Sequence, residues 1–269
     1  MKLQLCRHLW GLDEPREPYF PKIKEQGFTA IETGMPAIAE TERFLASLKQ
    51  FDFDYVPMAF TRGETAGQHI ESFRVQIERA KGMGGIKVVC HSWLDSFSDE
   101  DAKTFFCEVL AIEKDAGIAV AHETHRGKIL FNAWRTRMLL EEFPSLHLCA
   151  DFSHWVCVAE RLLAADDPAM KLAIERTIHV HARVGYEQGP QVPDPRAPEY
   201  AAALAAHEKY WDAVWAAQKA RGVKVSTLTP EFGPPGYMHT LPYTNVPVAN
   251  LWDVCTWMAN RQKERFGHG

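Results

Sequence analysis

The strongest constraint in this chain is an eightfold alternation of two patterns. Short apolar runs rich in β-branched residues recur between longer stretches of helical spacing, the signature of parallel βα units rather than of hairpins. The reading predicts strands at 3–8, 29–34, 54–60, 86–92, 118–124, 146–152, 177–183 and 224–231. Helices are expected near 15–26, 38–50, 66–83, 98–116, 131–143, 156–175, 199–220 and 247–264. Gly27, Gly117 and Gly222 each close a helical stretch just before a strand, where a left-handed residue is needed to end the helix. Eight such units in 269 residues match a (β/α)₈ barrel. A doubly wound sheet has fewer strands and a glycine-rich first turn. The expectation is therefore one α/β domain, a (β/α)₈ barrel spanning residues 1–269. Two long irregular segments, 184–198 and 232–247, leave the last two strands, and loops of that length in a compact domain usually belong to an active site.

Composition narrows the partners. The net charge is −5 and the basic residues are scattered rather than grouped in a stripe, which argues against nucleic acid. No run of 18 apolar residues occurs, and the N-terminal residues lack the apolar stretch of an export signal, so no membrane partner is expected. Six cysteines (Cys6, Cys90, Cys107, Cys149, Cys157 and Cys255) form no C-x-x-C pair, which suits a reducing, cytoplasmic setting. Common short motifs fail. Gly82-Met83-Gly84-Gly85 precedes a strand instead of following one, unlike a dinucleotide fingerprint. His122-Glu123-Thr124-His125 has its histidines three apart on a strand end, whereas H-E-x-x-H needs four on a helix. Cys90 and His91 are strand neighbours that face opposite ways and form no nucleophile–base pair by adjacency.

In a barrel, chemistry collects where strands end. The last four predicted strands end in Glu123, Asp151, His181 and Glu231, spaced 28, 30 and 50 residues apart, about one βα unit each. The 184–198 loop lengthens the last interval. Three carboxylates aimed into one mouth repel each other unless a cation neutralises them, and a divalent metal does so. Three oxygen ligands and one imidazole suit Mn²⁺ first, with Mg²⁺, Co²⁺, Zn²⁺ or Fe²⁺ as alternatives. His179 shares the face of His181, but His181 lies nearer the mouth and is the preferred ligand. Around the same mouth, His8, Trp10, Glu32, Phe60, Arg62, His91, Trp93, His125, Arg126 and Trp155 are candidates to meet a substrate, aromatic faces covering its C–H surface and polar heads taking its hydroxyls. Arg183 or Arg126 could hold an anionic group or brace a nearby acid.

Glu123, Asp151-Phe152-Ser153-His154, His179-Val180-His181 and Glu231 together resemble the xylose-isomerase-like barrel superfamily of sugar isomerases and epimerases over nearly the whole chain. The resemblance implies that Glu123, Asp151, His181 and Glu231 hold the metal, with His181 the second histidine of H-x-H. It also implies that His154, three residues after the aspartate, touches substrate oxygen or metal-bound water, and that Glu32 contacts substrate. After His181, however, Ala182-Arg183-Val184-Gly185 and Glu187 stand where ketose 3-epimerases carry H-x-G-E and an arginine. Segment 184–198 lacks the D-x-H of the trinuclear endonuclease IV.

The expected activity is a metal-dependent isomerase or epimerase acting on a small polyhydroxylated carbonyl compound through an enediolate. Glu123 and Glu231 would be the catalytic pair, one removing a proton and the other returning it, with His154 and Arg183 positioning substrate oxygens alongside Glu32, His91, Trp93, His125 and Trp155. A dehydratase of the inosose type is the alternative. A sugar-binding barrel without catalysis and an apurinic-site endonuclease rank below it. Homo-oligomer formation is left open.

Overall fold

A computed structural model describes residues 1–268. Its eight strands are β1 (Lys2–His8), β2 (Ala30–Gly34), β3 (Asp54–Phe60), β4 (Val88–His91), β5 (Val120–Glu123), β6 (Leu148–Ala150), β7 (Thr177–His181) and β8 (Val225–Thr229). Each pairs in parallel with the next, and β8 pairs with β1 to close the barrel. The helices among the described residues are α1 (Phe20–Glu25), α2 (Thr41–Gln50), α3 (Ala66–Gly82), α4 (Asp99–Ala116), α5 (Ala133–Glu142), α6 (Phe152–Ala159), α7 (Pro168–Arg176), α8 (Ala201–Ala220) and α9 (Leu251–His268). The (β/α)₈ expectation is thus met, and Gly27, Gly117 and Gly222 all have the positive φ their positions require. No helix among the described residues is long and apolar enough to cross a membrane.

One helix expected at 156–175 is two. Asp151 caps a helix at once, its side chain accepting from Ser153 N at 3.1 Å, so β6 stops at Ala150 and α6 occupies residues read as strand end. Glu160, at φ 51°, then ends α6, and Asp167-Pro168 starts α7 with an aspartate cap and a proline in the first turn. That Asp-Pro pair was the available signal for a second helix start.

The period-two alternation sorts strand residues into two cores. Outward side chains meet the helices in a continuous apolar layer, while inward ones form a smaller cluster of Cys6, Ala30, Val56, Met58, Val89, Ala121 and Cys149. Two residues further along β1, β2, β4 and β5, the inward positions become His8, Glu32, His91 and Glu123. The apolar layer therefore acts as a floor, and the polar layer stands at the C-terminal mouth.

His122, between the inward Ala121 and Glu123, faces the helices. Its Nε2 meets Glu113 Oε1 of α4 at 2.7 Å and its Nδ1 meets Ser92 Oγ at 2.6 Å. Burial would depress this imidazolium, but the Glu113 carboxylate outweighs it and pushes the pKa up to about 9 from 6.5. Because the folded value is raised, the stabilisation is complete below about pH 6.5 and is lost as pH climbs through about 9. Glu113→Gln should therefore lower the Tm at pH 6 and flatten the stability profile between those pH values. Thermal unfolding across the range checks this, and an unchanged profile in the variant contradicts it.

Candidate metal centre and active site

Glu123 ends β5, Asp151 follows β6, His181 ends β7 and Glu231 lies two residues beyond β8, so the last four strands each deliver one group. Their ligand atoms lie within 4.8 Å of one another and all four residues are buried. His181 organises them. Its Nδ1 stands 3.1 Å from Glu231 Oε2 and 3.5 Å from Glu123 Oε1, while its Nε2 bonds Glu32 Oε1 at 2.7 Å. His179, the other histidine of β7, points lower, to Thr227 Oγ1 at 2.7 Å and Glu32 Oε2 at 3.1 Å. Glu32 also accepts from Thr229 Oγ1. Both Glu123 oxygens, Glu231 Oε2 and His181 Nδ1 have charged neighbours but no directed hydrogen bond among the described residues. Such orphaned buried donors and acceptors, three of them carboxylate oxygens, fit a hard or borderline divalent cation.

The charges are tightly interlocked. Burial alone would raise Glu123, yet the adjoining His91 and His181 hold it well below the usual carboxylate range. Glu32 is likewise lowered against burial by His181 and His179. Burial opposes charge on His181, but Cys149, Glu231, Glu32 and Glu123 raise its pKa well above 6.5. Asp151 goes the other way, pushed up to about 6 by burial and by the like charges of Glu231 and Glu123, with Arg183 opposing. Arg183 reaches Asp151 Oδ2 and lies 3.4 Å from Glu231 Oε2. It also donates to Ser153 Oγ at 3.3 Å and to His154 Nε2 at 2.7 Å. Since a guanidinium only donates, His154 accepts at Nε2 and carries its proton on Nδ1.

Beside this cluster opens a cavity of 390 Å³. Of the expected substrate contacts, Glu32, His91, His125 and Arg183 line it, as do His8, Trp10 and Phe60. Glu32 does so from beneath His181, with both oxygens already bonded to protein, so its observed contacts are those of a brace for the imidazole. Five candidates are not among its lining residues: Arg62 lines a neighbouring hollow, Arg126 lies 5.3 Å from the Tyr237 ring, and three others are turned away. Trp93 has φ 41°, which turns its ring away to pack on Phe97 at 3.7 Å and stack on His69 at 5.4 Å. Trp155 sits on the buried side of α6, its indole donating to Leu130 O at 2.9 Å. His154 is fully buried behind Arg183, where its contacts are with the guanidinium and with His125 at 3.9 Å between rings.

The two long loops differ in what they do. Segment 232–243 contributes a wall through Tyr237, whose ring faces Arg183 at 4.8 Å and Trp10 at 5.1 Å and whose hydroxyl lies 3.3 Å from His125 Nε2. Among the described residues, segment 184–198 supplies none of that cavity's lining but braces its wall. Gln191 donates to Gly233 O at 3.2 Å and accepts from Gly233 N at 2.7 Å. A Cβ on Gly233 would collide with the Trp10 ring, and one on Gly185 would fall 2.6 Å from Ser153 O. Tyr237, Met58, Thr33, Gly34 and Arg16 also line the cavity without having stood out in the sequence. For Tyr237 the only signal was an aromatic residue following Gly-Pro-Pro-Gly.

The molecule is thus of the class of closed (β/α)₈ barrels that gather carboxylates and an imidazole at the mouth from their last four strands. Residues 20–191 match the family model described as xylose isomerase-like TIM barrel, and the chain belongs to that family. No curated protein sequence matches it significantly. Among solved structures it is similar to the Escherichia coli 3-keto-D-glucoside 4-epimerase YcjR, with TM-score 0.62 and 11% identity over 98% of this chain and 100% of that one. It is also similar to the probable 3-DHS dehydratase AsbF of Bacillus anthracis, with TM-score 0.62, 17% identity and the same coverage. A sugar phosphate isomerase/epimerase from Parabacteroides distasonis gives TM-score 0.61 and 12% identity over 97% of each chain. At these identities the likeness is one of fold.

A histidine must be neutral to bind metal, whereas His181 is held protonated by its neighbours. Loading Mn²⁺ should therefore release protons, with affinity rising as pH rises. Calorimetry in two buffers of different ionisation enthalpy measures the release, and a buffer-independent heat contradicts it. Glu32→Gln, which removes the charge behind the imidazole, should weaken Mn²⁺ binding by roughly 10–100-fold.

Proposed function

We propose that the protein is a divalent-metal-dependent isomerase or epimerase of a small sugar or sugar-like keto compound, working by proton transfer at the carbon beside the carbonyl. The observation that carries this reading is the pairing of Glu123 and Glu231, carboxylates from separate strands that both approach His181 Nδ1 and both line one cavity. Glu123, Asp151, His181 and Glu231 would hold the metal, for which Mn²⁺ is the first choice, and when bound it supplies Lewis acidity to substrate oxygens.

The chain's own groups account for the rest. One of the two glutamates takes the proton and the other returns it, each such positioned base or acid contributing roughly 10²–10⁴-fold. His91, in contact with Glu123 Oε2, fixes the orientation of that carboxylate. Arg183, 3.4 Å from Glu231 Oε2, orients the other and offers its remaining N–H groups to substrate oxygen. Tyr237 and Trp10, ring against ring at 5.1 Å, give the cavity an aromatic wall for the C–H face of a sugar. A dehydratase is the second reading. His91, which lines the cavity in contact with Glu123 Oε2, is placed to pass a proton to a departing hydroxyl after the same first step.

Glu231→Gln keeps an oxygen donor but loses the basic carboxylate, so it should abolish turnover while some metal is retained. His181→Ala should lose most of the metal. Metal content measured beside solvent-deuterium exchange into a panel of ketoses, keto acids and inososes reads both effects, and mass loss of one water marks the dehydratase. Undiminished exchange in metal-loaded Glu231→Gln would transfer the proton steps to Glu123 and a histidine.

A further inference from the structure

We propose that His8 presents a fixed, neutral Nδ1–H donor to the cavity, so that a substrate must offer an acceptor oxygen there. The substrate-facing half of this proposal rests on the function put forward above, whereas the tautomer does not.

His8 ends β1 in register with Glu32 of β2, and it lines the cavity while being almost fully buried. Its Nε2 has two neighbours, Arg7 Nη1 at 3.4 Å and Cys255 Sγ at 3.4 Å. A guanidinium has only donors, so Nε2 must accept from Arg7, and the Cys255 thiol can donate to the same nitrogen. A neutral imidazole carries one proton, which is thereby assigned to Nδ1. That atom is buried and has no hydrogen-bond partner among the described residues. A second proton would place an N–H against the guanidinium. The charged groups around His8 are Arg7, Glu231, Glu32 and His181, and burial followed by Arg7 prevails over the two carboxylates, holding the pKa down to about 3.

Arg7 is a positioning residue in this arrangement. It is fully buried, and its guanidinium is placed by ring faces, 4.9 Å from the Trp252 centroid and 6.0 Å from Phe28. The chemical consequence is selectivity. A hydroxyl or carbonyl oxygen satisfies the orphaned donor, whereas a protonated amino group would face it donor to donor. The site is thereby matched to an oxygen-bearing substrate and set against an amino sugar at that position.

Long-range ¹H–¹⁵N correlation on the labelled protein loaded with diamagnetic Mg²⁺ or Zn²⁺ reads the tautomer directly. From about pH 6 to 8, where an ordinary histidine titrates, His8 should show a protonated Nδ1 and a bare Nε2 throughout. An Nε2–H form or an imidazolium overturns the proposal. In Arg7→Met the proton should shift toward Nε2, and an unmoved tautomer removes Arg7 from the positioning role. Xylitol, an uncharged polyol, serves as the ligand probe. It should shift the His8 Nδ1–H signal together with that of His91. Its binding should weaken roughly tenfold in His8→Phe but less than about threefold in His8→Asn, which keeps an N–H near the Nδ1 position. A shift at His91 alone overturns the donor role. No shift at either imidazole would overturn the sugar reading, while the donor assignment is decided separately by the ligand-free tautomer.

Discussion

Carboxylates packed at the mouth of a barrel repel one another, and here a single imidazole is set among them. His181 has Glu32 beneath one nitrogen and Glu123 with Glu231 before the other. The bond to Glu32 fixes the ring plane, and the ring plane fixes where the opposite nitrogen points. Glu32 in turn rests on His179, which is tied to Thr227, and Lys87 reaches that threonine at 3.0 Å from the far side of the barrel. A column of polar contacts thus passes through the barrel core, each partly satisfying the next. Such a column is tolerable only when its members are paired, because an unpaired polar group in a low-dielectric interior is costly.

Much of this was legible in the sequence. Four chemically compatible residues at the ends of four successive strands were enough to mark Glu123, Asp151, His181 and Glu231, because the barrel brings one strand end per βα unit to the same mouth whatever the length of the loop between. In the structure the same strand period separates His122 from Glu123, one facing helices and one facing the mouth. What failed lay just past the strand ends, where that period no longer applies. Trp93 follows His91 by two residues and would share its face in a continuing strand, but its left-handed backbone breaks the alternation. Trp155 belongs to a helix that starts four residues earlier than expected, so a residue read as rim is in the core. Tyr237 comes from a loop, and no periodicity exists there to say which way a side chain turns.

Asp151 resolves a choice that sequence poses as exclusive. An aspartate after a strand reads either as a helix cap or as a ligand, and this one is placed for both, with Oδ1 on Ser153 and Oδ2 on Arg183 and toward the other acids. The cap makes the carboxylate part of the backbone geometry of α6. Its position is then as rigid as the helix it begins.

Gly233 is where three distant parts of the chain meet. The Trp10 ring of the first βα connection lies against it, and Gln191 of the seventh holds its peptide from both sides. These connections consequently form a collar rather than independent flaps, and lengthening one without the others would break a shared joint. Variation in what the barrel accepts is then channelled to the opposite side of the mouth, where Met58 and Phe60 come directly from β3 and, among the described residues, make no hydrogen bond to the collar. Redesign of the cavity would begin there, and the collar would travel unchanged between variants.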